Sequence, residues 1–525
     1  MSIDGTIALK GMKKLLLAFW LGLATTPLTW SAGSFSFFEP LQPPRVVQVM
    51  AHRGASGQAP ENTRPAILRC IEDGFEWAEV DVRLSKDGQH VLWHDSTLDK
   101  LGSAGKLVNQ LTLAELKEVD AGAWFAVRYR GEHLLSLKEC LSMAKGKLNL
   151  YLDCKDVNFE LLAREILEAG MERQVVVYDK PARLETLHSL SGNRVAVMTK
   201  WHPADGFAGW VDSLKPEAVE IDANEITPAI VESFHRRGIK VEARTLGDQD
   251  RPEFWDSVIR AGADWIQTDQ AEEIIARVFN QRTPHRPALV SFHRGANRYA
   301  PENTLPAFTR AGSLGADYVE FDVRATRDGK FFLLHDGRLD RTTTGKGPIL
   351  DATAEQVSNL DAGRWFGLPF AGVPLPTLDR FLETVPASVQ LYFDAKAIPP
   401  EALSDAIEKY HLAERTIVYQ SADYLIRLKG INPRIRALPP LGNAEEIDAL
   451  AANLHPYAVD ASWEILSKQV IDHCHALGIK VFSDALGSNE RIERYQEAIG
   501  WGIDLIQTDH PLRVYRAMEL FSKSR

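Results

Sequence analysis

Short apolar runs rich in β-branched residues recur along the chain, separated by stretches whose apolar positions return at helical spacing. In the first half, residues 46–51, 77–82, 91–93, 148–153, 174–178, 195–199, 218–221, 240–243 and 265–267 read as strands. The stretch 63–74 shows how the helices between them are punctuated. Asn62 or Thr63 can cap its start, Pro65 stands near the first turn and Gly74 ends it. Strands and helices alternating over about 240 residues predict a parallel sheet closed into a (β/α)8 barrel.

The pattern occurs twice. Ala51-His52-Arg53-Gly54 returns as Phe292-His293-Arg294-Gly295, and the two histidines stand 241 positions apart. Glu79 and Glu320, Asp81 and Asp322, His94 and His335, Asp153 and Asp394, and Lys155 and Lys396 keep the same offset. An offset held without gaps over so long a stretch means two copies of one domain. The fold class is therefore α/β, two tandem TIM-type barrels, over residues 46–280 and 288–525. Between them, 281–287 is polar and punctuated by Pro284 and Pro287, as a linker should be. It is too short to let the copies roam, so they are expected to pack together.

Nine strands exceed eight staves, and the link from Asp81 to Val91 is too short for a crossover helix. Asp87-Gly88 signals a hairpin instead, and Asp328-Gly329 repeats it. A turn centred on these pairs would set Asp81 against His94, and Asp322 against His335.

Polar residues that end apolar strands carry the chemistry. Glu79 and Asp81 share one strand face at i and i+2, as do Asp153 and Lys155. Three converging carboxylates must share protons, pair with Arg83 or Lys155, or hold a cation. An all-oxygen set favours a hard divalent ion, Mg2+ or Ca2+. His52 and His94 each end a strand, and both recur. Such a pair flanking a phosphate can act as general base and general acid. Arg53 and Lys155, repeated as Arg294 and Lys396, suit phosphate recognition. His90, His133, His188 and His202 do not recur, which favours structural roles. His235 and His475 recur one residue out of register where helices end, and are expected to cap them.

A net charge of −11 argues against general nucleic-acid binding, while local basic residues can still hold the phosphate of a small-molecule substrate. Cys70, Cys140, Cys154 and Cys474 show no paired spacing and read as buried thiols. Residues 1–31 resemble a secretory signal with an N-terminal extension: Lys13-Lys14, an apolar run over 15–24, and a cleavage site at Thr29-Trp30-Ser31. Export to a periplasmic or extracellular location is expected, with an uncleaved membrane anchor as the alternative. Membrane contact is not otherwise indicated, and the sequence says nothing of oligomeric state.

Taken in order, His-Arg-Gly, Ala59-Pro60-Glu61-Asn62-Thr63, Glu79-x-Asp81 and His94-Asp95 resemble the glycerophosphodiester phosphodiesterase family. The second copy adds Leu339-Asp340-Arg341-Thr342-Thr343, and both copies close on Gly-x-Asp-x-x-x-Thr-Asp, ending at Asp269 and Asp509. The resemblance implies a divalent metal held by Glu79, Asp81 and Asp153, and by Glu320, Asp322 and Asp394. It implies His52/His94 and His293/His335 as acid–base pairs, with Glu61 and Glu302 orienting the arginines or metal ligands. The reaction implied is hydrolysis of glycerophosphodiesters to glycerol 3-phosphate and an alcohol, by a neighbouring hydroxyl or by water.

Three departures stand out. Asp153 and Asp394 replace the family's Glu. Lys100-Leu101-Gly102 replaces Arg-Thr-Thr in the first copy, which is expected to weaken support at its pocket mouth. Glu242-Ala243-Arg244-Thr245 and Phe482-Ser483-Asp484-Ala485 lack the expected Trp and Asn, leaving the glycerol side of recognition open. Two alternatives follow: one copy, the first by preference, is an idle binding domain, or the chain is a phospholipid-directed lyase. The lyase requires exposed aromatics near the site, for which Trp124-Phe125 and Trp365-Phe366 are candidates beside a core role.

Overall fold

The computed structural model describes residues 35–207, 211 and 214–523. The expected signal segment therefore lies outside the described residues. Gln48–Ala51, Trp77–Leu84, Asn149–Cys154, Val175–Tyr178, Ala196–Lys200, Ala218–Asp222, Lys240–Arg244 and Trp265–Thr268 run parallel in chain order, and the first pairs with the last. That is a closed eight-stranded barrel.

Residues alternate between two environments along each stave, as the strand period of two requires. Met50, Trp77, Tyr151, Val176, Met198, Ala218 and Trp265 fill the lumen, whereas Val49, Val80, Val177, Val219 and Ile266 pack under the helices. Phe37 seals the lumen at its lower end, its ring 5.5 Å from that of Trp77 and 5.0 Å from that of Trp265.

The second copy repeats this over Leu289–Phe292, Tyr318–Ala325, Gln390–Asp394, Thr416–Tyr419, 436–441, Ala458–Ala461, Lys480–Asp484 and Leu505–Thr508. Its ring is nearly closed. The fifth stave is split into Arg436–Leu438, paired to one neighbour, and Pro440–Leu441, paired to the other. Pro439 and Pro440 have no N–H to give a ladder, so pairing breaks between the halves.

The ninth expected strand, His90–Leu92, is the antiparallel hairpin partner of Trp77–Leu84. Its register differs from expectation by one residue. Ser85 N–H donates to Gln89 O (2.9 Å) and Gly88 N–H to Ser85 O (3.0 Å), so three residues turn, with Gly88 at φ +73°. A three-residue loop ending in a left-handed glycine replaces the two-residue turn. Trp93, not His94, therefore sits opposite Asp81, donating to its carbonyl at 3.0 Å, and Leu334 does the same opposite Asp322.

The copies pack together, as the short linker predicts. Helix Ala271–Arg282 runs into the linker, and Arg286 is held by Asp317 and Asn280, each at 2.6 Å. The Phe279 and Tyr515 rings stack 4.3 Å apart, and Arg298 reaches Glu72 and Asp73 of the first copy, both at 2.9 Å. Of the aromatic candidates, Phe125 and Phe366 belong to this contact, whereas Trp124 and Trp365 are half-exposed, with Lys100 Nζ 4.0 Å over the Trp124 ring and Arg128 6.0 Å over the Trp365 ring. Phe125 and Phe366 are buried, Leu368 N–H donates to Phe125 O at 2.6 Å, and Arg128 lies 4.3 Å over the Phe366 ring. The four cysteines are free and buried, as expected. No described helix is long and apolar enough to cross a membrane.

Candidate active sites

Each site lies where staves end at the C-terminal rim. The first stave of each copy ends just before His-Arg-Gly, and Arg53 and Arg294 take left-handed conformations, φ +55° and +56°. The turn aims the Arg53 backbone N–H at Glu79 Oε2 (2.7 Å), and Arg294 repeats the contact with Glu320 (2.7 Å). Asn62 and Asn303 are also left-handed. The Asn62 amide donates to Asp81 Oδ2 at 2.7 Å while its carbonyl accepts the Asp81 N–H at 3.0 Å, and Asn303 grips Asp322 in the same way.

Glu79, Asp81 and Asp153 bring one oxygen each within 4.8 Å of one another, and so do Glu320, Asp322 and Asp394. The shorter Asp153 and Asp394 still reach the cluster. Burial, reinforced by the neighbouring carboxylates, pushes Glu79 and Glu320 well above the usual range. Burial also raises Asp153 and Asp394, against the lowering effect of Lys155 and Lys396. Lys155 Nζ is 2.6 Å from Asp153 and 3.2 Å from Asp81, and Lys396 bonds Asp394 and stands 3.2 Å from Asp322. Of the salt bridges weighed from sequence, that of Lys155 is present, whereas Arg83 donates instead to His94 O at 2.9 and 2.6 Å. Arg53 Nε adds a contact to Asp81 at 3.7 Å and Arg294 Nε one to Asp322 at 3.5 Å, so two cations face three carboxylates and negative charge is left uncompensated. An all-oxygen set so arranged fits a hard divalent cation.

The histidines are oriented by carboxylates. His52 Nδ1 meets Asp269 Oδ1 at 2.8 Å and His293 Nδ1 meets Asp509 Oδ1 at 2.7 Å. His94 and His335 meet Asp95 and Asp336, both at 2.8 Å. A carboxylate accepts only from a ring N–H, so each Nδ1 is the protonated nitrogen and each Nε2 is left for chemistry. His52 Nε2 is 4.0 Å from Glu79 Oε2. The hairpin carries His94 and His335 to the same rim despite its shifted register, their backbone carbonyls accepting from Arg83 (2.9 and 2.6 Å) and Arg324 (2.7 Å) on the strands that bear Asp81 and Asp322.

Glu61 and Glu302 orient the arginines. Glu61 accepts from Arg53 (3.3 Å) and Lys100 (2.9 Å), whereas Glu302 accepts from Arg294 (3.0 Å) and from both Arg341 nitrogens (2.7 and 2.8 Å). Lys100 therefore keeps part of what Arg341 does. What it loses is the second half: Arg341 also bonds Asp336 at 2.8 Å, which holds that carboxyl well below its usual range.

Among the other histidines, His90 is structural, its Nδ1 2.6 Å from Glu165. His235 and His475 are not caps. Their rings pair with Asp264 (2.7 Å) and Asp504 (2.8 Å), each on the short loop that leads into the last stave. The sequence assigned no role to Asp269, Asp509, Asp95, Asp336 or Asn303, and read Asn62 as a possible helix cap rather than as the residue that grips Asp81. The signal for the first two was a Thr-Asp ending the last stave beside the first.

The glycerophosphoryl diester phosphodiesterase family model matches twice, over residues 52–273 and 293–513. A glycerophosphodiester phosphodiesterase of Caldanaerobacter subterraneus subsp. tengcongensis is 34% identical over 233 residues, covering 42% of this chain and 94% of its own. One of Bacillus subtilis is 26% identical over 257 residues, covering 44% of this chain and 86% of its own. The crystal structure of the Agrobacterium tumefaciens enzyme aligns at 29% identity and TM-score 0.41, covering 44% of this chain and 99% of its own. Both barrels, with their strand-end motifs, make the chain a tandem member of the glycerophosphoryl diester phosphodiesterase family.

Proposed function

We propose that the protein hydrolyses glycerophosphodiesters to glycerol 3-phosphate and an alcohol, with a divalent metal at each acidic centre. Glu79, Asp81 and Asp153 would hold it in the first copy, and Glu320, Asp322 and Asp394 in the second. The observation that carries the reading is a triad of carboxylates beside a carboxylate-oriented histidine, built identically twice. A bound divalent cation supplies positive charge against the phosphoryl oxygens. Arg53 and Lys155, or Arg294 and Lys396, present donors to the same phosphate. One histidine of each pair takes the proton of the attacking hydroxyl or water at Nε2, and the other returns a proton to the leaving oxygen. Asp269, Asp95 and their counterparts keep Nδ1 protonated throughout.

Single and double replacements of His52 and His293 by Ala test this. The double variant is expected to lose at least about a hundredfold in glycerol 3-phosphate release, the usual contribution of acid–base catalysis. Each single variant should keep the other copy's turnover. A double variant near wild-type rate would refute the reading. The loss of the arginine beside Asp95 favours a second reading in which the first copy is idle. Under it, His52→Ala alone would change nothing.

The apolar run over 15–24 supports export, with cleavage near residue 31. N-terminal sequencing of the mature protein tests it, and a chain retaining Met12 would contradict cleavage.

A further inference from the structure

The two sites share their acids and histidines but differ in charge along the opposite wall. Asp153 pairs with Tyr178, Tyr178 with Met198, Lys200 with Glu220, and Asp222 with Arg244, which pairs in turn with Gln267. Alternate residues share a face, so Asp153, Tyr178, Lys200, Asp222 and Arg244 line one rim of the lumen. In the second copy Asp394 pairs with Tyr419, Tyr419 with Leu438, and Asp484 with Gln507. Pro440 is register-paired with Asp460, as Lys200 is with Glu220. The same rim therefore reads Asp394, Tyr419, Pro440, Ser462 and Asp484.

With the register partners Glu220 and Asp460 counted, Lys200, Glu220, Asp222 and Arg244 sum to 0 (+1, −1, −1, +1), whereas Pro440, Asp460, Ser462 and Asp484 sum to −2 (0, −1, 0, −1), so the first copy's wall is the less negative by two charges. Lys200 Nζ lies 2.9 Å from Asp222, and Arg244 Nη1 lies 3.5 Å from the same carboxylate. Lys200 Nζ also lies 3.8 Å from Glu220, so two carboxylates serve the two cations, whose side chains remain 29% and 38% exposed. In the second copy the Gln507 amide donates to Asp484 at 2.5 Å, and Gln507 stands on the last stave, which runs into Asp509, the carboxylate that holds His293.

We propose that the two copies divide glycerophosphodiesters by the charge of the alcohol. The first copy takes an alcohol bearing an added anionic group, and the second takes one bearing a cationic amine. The proposal rests on the phosphodiesterase reading above. Arg244 and Lys200 offer charge-assisted donors to a carboxylate or second phosphate. On the same rim, Asp484 offers an ammonium a counter-charge and Tyr419 offers it a π face.

The test uses the full chain with one copy silenced: His293→Ala reports the first copy and His52→Ala the second. Substrates are glycerophosphocholine, glycerophosphoglycerol and the glycerophosphodiester of N-acetylserine, whose alcohols are cationic, neutral and anionic. A favourable charge contact of this kind, screened at a half-open site, is expected to give about a tenfold preference in kcat/KM. The second copy should prefer choline over N-acetylserine, and the first should show the reverse. Asp484→Asn in the His52→Ala chain, and Arg244→Met in the His293→Ala chain, should bring these ratios toward unity. A ratio is unaffected by loss of folded protein. The same ranking in both copies, or ratios that survive these substitutions, would overturn the charge division. Hydrolysis of none of the three would overturn it together with the phosphodiesterase reading.

Discussion

At each site a carboxylate fixes a histidine, and that pairing sets which nitrogen reacts. Asp269→Asn or Asp509→Asn would let the ring adopt the other tautomer. Turnover of the affected copy should fall by about 10²–10⁴-fold with unchanged circular dichroism, measured with the other copy silenced. Full activity would show that the pairing is incidental. The raised carboxyls Glu79 and Glu320 make a second prediction. A raised value means the metal-free site keeps a proton that the cation must expel, so affinity should rise with pH. Titration of Mg2+ or Ca2+ between pH 5 and 8 should show about a tenfold gain per unit for each proton released, and calorimetry in two buffers should count it. A pH-independent affinity would contradict the shared-proton cluster. The acids were legible in sequence because i and i+2 on a strand must share a face. Asp269 was not, since it stands 217 positions from His52 and only barrel closure brings them together.

At the scale of elements, the hairpin was visible from a link too short for a helix, but its register was not. One residue of loop length decides register, and Asp-Gly serves two-residue and three-residue loops alike. The split stave at Pro439-Pro440 was not read as a strand break either, although proline's missing N–H accounts for it fully. The turn after the first stave depends on Gly54 and Gly295, at φ +74° and +77°. A Cβ there would lie 2.9 Å from Ala66 or Ala307 at the start of the next helix. Gly295→Ala should therefore cost at least about 1–2 kcal/mol from the left-handed backbone alone, read as a lowered denaturant midpoint. A neutral effect would mean that helix Leu305–Ser313 can shift without cost.

At the scale of the molecule, two copies and their mutual packing followed from the repeat and the seven-residue linker. The residues that join them did not, because contacts between distant surface positions leave no local pattern. Arg298 is the plainest case, 13% exposed and bonded to Asp73, which is 2% exposed. Arg298→Ala would strand a buried carboxylate and should destabilise by about 3 kcal/mol. Thermal unfolding should begin at a lower temperature, whereas an unchanged scan would mean that the copies fold independently of this contact.

The most direct measurement is glycerol 3-phosphate release from glycerophosphocholine and glycerophosphoethanolamine. It would use the chain without residues 1–31, treated with EDTA and then resupplied with Ca2+ or Mg2+. The account predicts release that disappears with EDTA, returns with one of the two metals, and is absent from the His52→Ala/His293→Ala double variant. Release that is indifferent to metal, or that survives loss of both histidines, would contradict it.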